Sequence, residues 1–327
     1  MRSRIAGTGR ALPPRVLTNK DLEKLVDTSD AWIVERTGIK ERRVLDQPLA
    51  TSDLATEAGL RACKAAGIDP ATIDCIIVGT VTPDMPFPAT ATFVQKKLGA
   101  RPGGAAFDLS AACAGFLYGL AVADGFIGRG MFQRVLVIGV EILSRIVDWS
   151  DRGTCVLFGD GAGAVVLVPE KEAGRGLLST HIHADGSYTD ALCIPAGGTR
   201  TPLTPELVAA KQNFVKMNGR EVFRHAVRNM ASASLAALEH NALKAADVTW
   251  VLAHQANLRI IEGVAERVGI PLERFFLNIE KYGNTSSASL PIVLDEAVEQ
   301  GKVKAGDILL FSALGGGLAW GSAVVRW

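Results

Sequence analysis

Short continuous apolar runs alternate along the chain with longer stretches in which apolar residues recur every three or four positions. The runs, such as residues 75–78 (CIIV) and 135–138 (VLVI), have the length and composition of strands buried on both faces. The longer stretches, 54–66 and 221–241 among them, predict helices. Buried strands alternating with helices predict an α/β fold in which helices cover mixed sheets.

The pattern also repeats. Residues 71–80 (ATIDCIIVGT) read like 245–254 (AADVTWVLAH), each run following a long helical segment and ending on a small residue and a polar one. Residues 135–139 (VLVIG) and 159–168 (GDGAGAVVLV) are echoed by 308–312 (ILLFS) and 315–325 (GGGLAWGSAVV). Self-similarity of this kind predicts two duplicated halves, 1–172 and 173–327, meeting near 169–176. Superposed, the halves set His254 opposite Thr80 and bring Asn284 within two residues of the counterpart of Cys113. All three residues are then expected to face one central cleft. The glycines of 159–163 lead into a strand pattern and not a helix, which argues against a dinucleotide-binding loop. They predict a hairpin turn built on positive-φ glycines.

Composition narrows the class. The 327 residues are 48% hydrophobic, enough to bury a large core, so wholesale disorder is excluded. With 35 basic against 34 acidic side chains the net charge is +1, which argues against a nucleic-acid partner and leaves an acidic partner to a local patch. The five cysteines are scattered without a C-x-x-C pair, so neither a disulfide framework nor a zinc knuckle is expected, and a reducing cytoplasm is the expected compartment. Residues 1–9 carry Arg2 and Arg4 but no apolar segment of signal-peptide length. The apolar stretch 105–132 is interrupted by Asp108, Asp124, Arg129 and glycines, and reads as buried strand, helix and loop with no membrane span.

Cys113 falls between a predicted strand (104–109) and a predicted small-residue helix (114–127). A thiol at a helix start meets the positive end of the dipole and free N–H groups, which favour a thiolate and hold an oxyanion. The competing reading is a small core side chain, which is the expectation for Cys63, Cys75, Cys155 and Cys193. His254 ends a predicted strand and opens HQANLR (254–259), at the kind of strand end where ligand sites collect in α/β folds. Asn284 lies in YGNTSSAS (282–289), where an N-cap or Asx turn is the alternative role. His181, His183 and Asp185 form an H-x-H-x-D pattern, but no further His or Cys cluster completes a shell, so no metal is expected. His225 and His240 sit on helical patterns, at the surface or the core edge.

Around Cys113, His254 and Asn284 the chain strongly resembles the β-ketoacyl-acyl carrier protein synthase III family, the initiating condensing enzymes of type II fatty acid synthesis. The matching motifs run the length of the chain: 27–33 (DTSDAWI), 36–39 (RTGI), 111–116 (AACAGF), 151–154 (DRGT), 158–163 (FGDGAG), 183–187 (HADGS), 254–259 (HQANLR) and 283–286 (GNTS). The resemblance implies a thiolase-like fold, a decarboxylative condensation of acyl-CoA with malonyl-acyl carrier protein, and no cofactor besides the CoA thioester. It implies Cys113 as nucleophile, His254 and Asn284 as donors to the enolate oxygen, and the N–H groups of Cys113 and Gly316 as oxyanion hole. Trp32 and Arg152 are similar to the pair that flanks the adenine of CoA. Arg36, Thr37, Gly219, Ala256 and Asn257 resemble its other contacts, and Arg259 resembles a carrier-protein contact. The family also implies a homodimer in which Phe87, within residues 84–88, reaches the acyl pocket of the partner subunit.

Two departures stand out. Residues 314–321 read LGGGLAWG where many relatives carry FGGGFTWG, so Leu314 alters the acyl-pocket wall. One helical turn beyond HQANLR a basic pair is replaced by Glu266-Arg267, which thins a basic rim that also includes Arg224 and Arg228. Three other readings stay open on sequence. A papain-like protease shares the Cys, His, Asn order but has a C-G-[SA]-C-[WY] signature that is missing here. A starter enzyme of secondary metabolism shares the triad, and a non-catalytic thiolase-fold binding protein has no need of one.

Overall fold

The computed structural model describes residues 2–327, and its two main sheets share one layout. The first runs Arg2–Ala11, Gly161–Glu170, Val135–Glu141, Cys75–Gly79, Ala105–Leu109, with the first three neighbours antiparallel and the last three parallel. The second runs Gly176–Ala184, Ala319–Arg326, Ile308–Gly315, Trp250–Ala253, with the same senses and no fifth strand. The fold is α/β, two mixed sheets with helices between and outside them.

Alternation along the strands explains the layers. Cys75, Ile77, Val135, Val137, Val165 and Leu167 face a core that also takes Leu309 and Phe311 of the second sheet. Their neighbours Ile76, Val78, Leu136, Ile138, Ala164 and Val166 pack outward on helices Thr51–Ala66 and Thr90–Leu98. In the second sheet Ile308, Leu310 and Leu314 face outward to helices Gly219–His240 and Leu258–Val268. Helices Gly115–Gly128 and Ser289–Glu299 fill the space between the sheets, which explains their small and apolar sequences. Among the described residues no helix is long and apolar enough to cross a membrane.

The hairpin expected at 159–163 is not there. Strands Val135–Glu141 and Gly161–Glu170 are neighbours, but residues 142–160 make a long excursion between them, and none of Gly159, Gly161 and Gly163 has a positive φ. These glycines serve close approach instead. A Cβ on Gly159 would lie 2.4 Å from the Tyr282 carbonyl oxygen, and one on Gly163 would lie 2.7 Å from the Ile292 nitrogen. The excursion is anchored by Arg42, a fully buried arginine that donates to Leu17 O, Asn19 Oδ1 and Val156 O.

Candidate active site

The carboxyl ends of the parallel strands converge at the centre of the molecule, carrying Thr80 and Glu141 from one sheet and His254 from the other. Two short 3-10 turns meet them there. Ala112–Ala114 leads into helix Gly115–Gly128 and Ser286–Ala288 leads into helix Ser289–Glu299. Each turn opens on a non-glycine residue of positive φ, Ala112 at 44° and Ser286 at 50°. The matching turns pair Cys113 with Ser287, so Asn284 precedes the counterpart of Cys113 by three residues and not two.

Cys113, His254 and Asn284 line one narrow channel of about 130 Å³, together with Gly219, Ala256, Asn257 and Leu314. Cys113 also lines a wider apolar cavity of about 550 Å³ with Ser286, Gly316, Leu192 and Val215. The thiol therefore sits where a narrow entrance opens into a roomier chamber. Leu314 lies on the channel side and not, as its expected acyl-pocket role requires, in the wider cavity. Alternation along Ile308–Gly315 turns it toward Ala226 and Met230, while Ala313 takes the inner face.

The polar groups of the channel are held by their backs. His254 Nδ1 lies 2.9 Å from Ser289 Oγ, which also accepts the Gln255 N–H at 2.9 Å. The hydroxyl proton of Ser289 has no other acceptor among these contacts, so donation to Nδ1 satisfies it, and that tautomer carries the ring proton on Nε2. His254 Nε2 is buried and has no partner in the protein. Burial holds this imidazole neutral by pushing it down to about 3. Asn284 Oδ1 accepts the Ser286 N–H at 2.8 Å, leaving the amide Nδ2 for the channel.

Cys113 behaves differently from the helix-start expectation. Burial pushes its thiol up to about 12, and the nearby Glu141 charge adds to the rise, while the Ser286 hydroxyl and the residue's own N–H pull it down. The residue lies in the 3-10 turn ahead of the helix, in a dry site, so desolvation outweighs the donors.

At the channel mouth the Arg36 and Arg152 guanidinium carbons lie 4.9 and 4.8 Å from the centre of the Trp32 ring. Asn257 caps helix Leu258–Val268 and donates to Arg36 O at 3.0 Å, tying this helix to Asp30–Thr37. Thr37 is buried, with its hydroxyl donating to Ile33 O and accepting the Ile39 N–H, so its side chain serves the helix end. Arg259 is half exposed and donates to Glu35 O. Phe87 lines neither the channel nor the wider cavity and is 85% exposed.

The histidines outside the channel form no metal centre, and among the described residues no cluster of three or more His, Cys, Asp or Glu suits a metal ion. His181 meets the ring of His240 edge-on at 5.2 Å, and His183 stacks on Trp320 at 5.5 Å. His225 is buried, its ring centre 4.3 Å from that of Tyr188, which corrects its expected place at the surface or core edge. Sequence reasoning missed Glu141 and Ser286. A lone carboxylate closing the apolar run 135–140 was the available signal for Glu141, while nothing local marked Ser286.

Comparison with known proteins agrees with this geometry. Family models described as 3-oxoacyl-[acyl-carrier-protein] synthase III match residues 107–186, and as its C-terminal part residues 238–327. The β-ketoacyl-[acyl-carrier-protein] synthase III of Roseiflexus sp. (strain RS-1) is 54% identical over 323 residues, covering 99% of this chain and 98% of the relative. The crystal structure of the Aquifex aeolicus VF5 3-oxoacyl-[acyl-carrier-protein] synthase III superposes with a TM-score of 0.92 at 48% identity, covering 99% of this chain and 100% of that one. The priming β-ketosynthase of the R1128 polyketide pathway also gives 0.92, at 34% identity over 99% of this chain and 96% of its own.

Proposed function

The chain belongs to the 3-oxoacyl-[acyl-carrier-protein] synthase III family, an acyltransferase family, and from that premise we propose how its site performs the initiating condensation of fatty acid synthesis. Cys113 attacks the carbonyl carbon of an acyl-CoA primer, with acetyl-CoA the simplest, and keeps the acyl group as a thioester while CoA departs. The N–H groups of Cys113 and Gly316 hold the oxyanion. Malonyl-acyl carrier protein then loses CO2, and its enolate oxygen accepts hydrogen bonds from His254 Nε2 and Asn284 Nδ2. The enolate carbon attacks the acyl-Cys113 carbonyl, releasing 3-ketoacyl-acyl carrier protein and the Cys113 sulfur.

One observation carries this reading: a neutral imidazole whose buried Nε2 has no protein partner lines the same channel as Cys113 and Asn284. A donor pair without positive charge stabilises developing negative charge with no metal or further cofactor. The two halves, 1–172 and 173–327, each supply part of it. Trp32 and Arg152 take the adenine, and because the guanidinium now rests on the ring, one of them swings aside on binding. Arg36, Gly219, Ala256 and Asn257 follow the nucleotide and pantetheine arm, with Thr37 acting through its backbone. Arg259 meets the carrier protein. The exposed Phe87 and Met85 support a homodimer, with Phe87 entering the partner's wider apolar cavity, and the working compartment is the cytoplasm. The identity of 54% to the fatty acid enzyme against 34% to the polyketide one favours primary metabolism.

Intact-protein mass spectrometry after incubation with a panel of acyl-CoAs tests the reading. The expected result is a mass gain equal to one acyl group in the wild type and none in Cys113→Ala. No adduct from any acyl-CoA, or equal adducts in both proteins, overturns it.

A further inference from the structure

Glu141 is an ionisable residue of the centre that the mechanism above leaves unused. It is fully buried and ends strand Val135–Glu141, and no positive side chain is among its hydrogen-bond partners. Its carboxylate accepts the Val81 N–H at 3.1 Å, Thr82 Oγ1 at 2.7 Å, Thr80 Oγ1 at 3.2 Å, Ser286 Oγ at 3.1 Å and Ser287 Oγ at 3.2 Å. Ser287 Oγ lies closer to Gly79 O, at 2.7 Å. Ser286 and Cys113 line the same cavity, carried by two 3-10 turns that pack on each other. Against the neutral thiol, Ser286 Oγ gives its proton to Glu141 and keeps lone pairs for the S–H of Cys113, and only against a thiolate does it donate to the sulfur.

Resting on Cys113 as the nucleophile, we propose that Glu141 takes up the thiol proton through the Ser286 hydroxyl as the sulfur attacks. The proton on Sγ passes to Ser286 Oγ while the Ser286 proton passes to Glu141 Oε1, and the freed sulfur pair forms the bond to the acyl carbon. When the tetrahedral intermediate expels the CoA thiolate, that thiolate takes up the proton Glu141 holds and the carboxylate is restored. In this relay Ser286 faces the reacting sulfur across the shared cavity, and Glu141 is a positioning residue that acts through it. His254 is a poor alternative base. Its neutral ring is held there by burial and has little affinity for a second proton, whereas burial pushes the Glu141 carboxyl up to about 7. The groups facing Glu141 are Thr80, Val81 and Thr82 from the segment after Cys75–Gly79, Ser286 and Ser287 from the other half, and Cys113, the one titratable side chain among them.

The test separates the half-reactions. Acylation of Cys113 by acetyl-CoA is followed by rapid-quench mass spectrometry, and decarboxylation of malonyl-acyl carrier protein is followed separately, each across pH 5.5–8.5. In the wild type, acylation rises as pH passes through about 7, because the carboxylate must be ionised to receive the proton. Glu141→Gln and Ser286→Ala are expected to acylate roughly a hundred-fold more slowly with that rise flattened. Decarboxylation stays within about threefold in both, because the Ser286 N–H still holds Asn284, and Glu141→Asp restores part of the acylation rate and its pH rise. Wild-type acylation in both variants, or equal loss of both half-reactions in Ser286→Ala, overturns the relay. If Glu141→Gln does not fold, Ser286→Ala decides alone. Absence of acylation in the wild type would instead sink the nucleophile assignment.

Discussion

Thr80 and His254 close equivalent strands, and Ser287 and Cys113 follow equivalent left-handed residues, yet the two poles of the duplication use their polar groups in opposite ways. On the Thr80 side, the hydroxyls of Thr80, Thr82, Ser286 and Ser287 all turn on one carboxylate, and the cluster is satisfied within the protein. On the His254 side, the ring is gripped at Nδ1 and left without a protein partner at Nε2. A fully paired buried cluster holds its groups in place for one another, while a buried donor left open is a binding site awaiting its acceptor. The two sheets supply two similar poles, and the difference between them lies in which hydrogen bonds were left unmade.

The largest break comes from removing the open donor. His254→Ala is expected to lower condensation by about a hundred- to a thousand-fold, as loss of one oxyanion-type donor does elsewhere. Acylation of Cys113 should persist, and radiolabelled acetyl transfer followed beside ketoacyl product formation checks both. Loss of acylation together with condensation would contradict the division of roles.

Two glycines test the poles sterically. A Cβ on Gly315 would lie 2.4 Å from the Cys113 nitrogen, and one on Gly139 would lie 2.2 Å from the Ser287 carbonyl oxygen. Each alanine substitution meets backbone that cannot move cheaply, so about 1–3 kcal/mol of stability is expected to be lost in both. Gly315→Ala should also displace the nucleophile and depress acylation well beyond what Gly139→Ala does. Chemical denaturation beside acylation rates measures the contrast.

The poles should also differ in how pH acts on stability. Burial raises the Glu141 carboxyl from 4.5 to about 7, so the folded state holds a proton the unfolded state has lost. That contribution is present below about 4.5 and is lost as pH rises toward 7. His254 is lowered from 6.5 to about 3, so its contribution is present above 6.5 and is lost as pH falls toward 3. Relative to the wild type, Glu141→Gln should gain Tm as pH rises from about 4.5 to 7. His254→Ala should gain as pH falls below 6.5. Melting curves at matched ionic strength decide it, and parallel profiles would mean that these groups are not held as described.

The smallest effect belongs to the rim. Arg259 is half exposed beside Glu35, so its charge acts partly screened. Arg259→Glu should raise the KM for malonyl-acyl carrier protein by roughly three- to tenfold and leave acetyl transfer from acetyl-CoA nearly unchanged. Salt should weaken the wild-type interaction as the Debye length shortens below about 10 Å. An equal effect on both substrates would locate the damage in the channel.

Much of this molecule is legible in its residues one segment at a time. The runs at 75–79 and 135–141 are buried strands because nothing polar interrupts them before Glu141, and the repeat between residues 71–80 and 245–254 foretold the paired sheets. Cys113, His254 and Asn284 each stood out locally, where a strand or turn gives way to a helix, and their joint role came from the family resemblance. Contacts between distant segments were not legible in this way. The glycines of 159–163 looked like turn formers, and only the arrival of Tyr282 and Ile292 shows that they make room for backbone. The helix start at Cys113 suggested a favoured thiolate, but desolvation depends on everything packed around the sulfur and outweighs the local donors. Glu141 and Ser286 are 145 positions apart and gain meaning only when the halves close on each other. Periodicity and turn chemistry are properties of neighbouring residues and can be read from order alone, whereas burial, dielectric and the partner of a buried hydroxyl are set by which chains of residues the fold brings together.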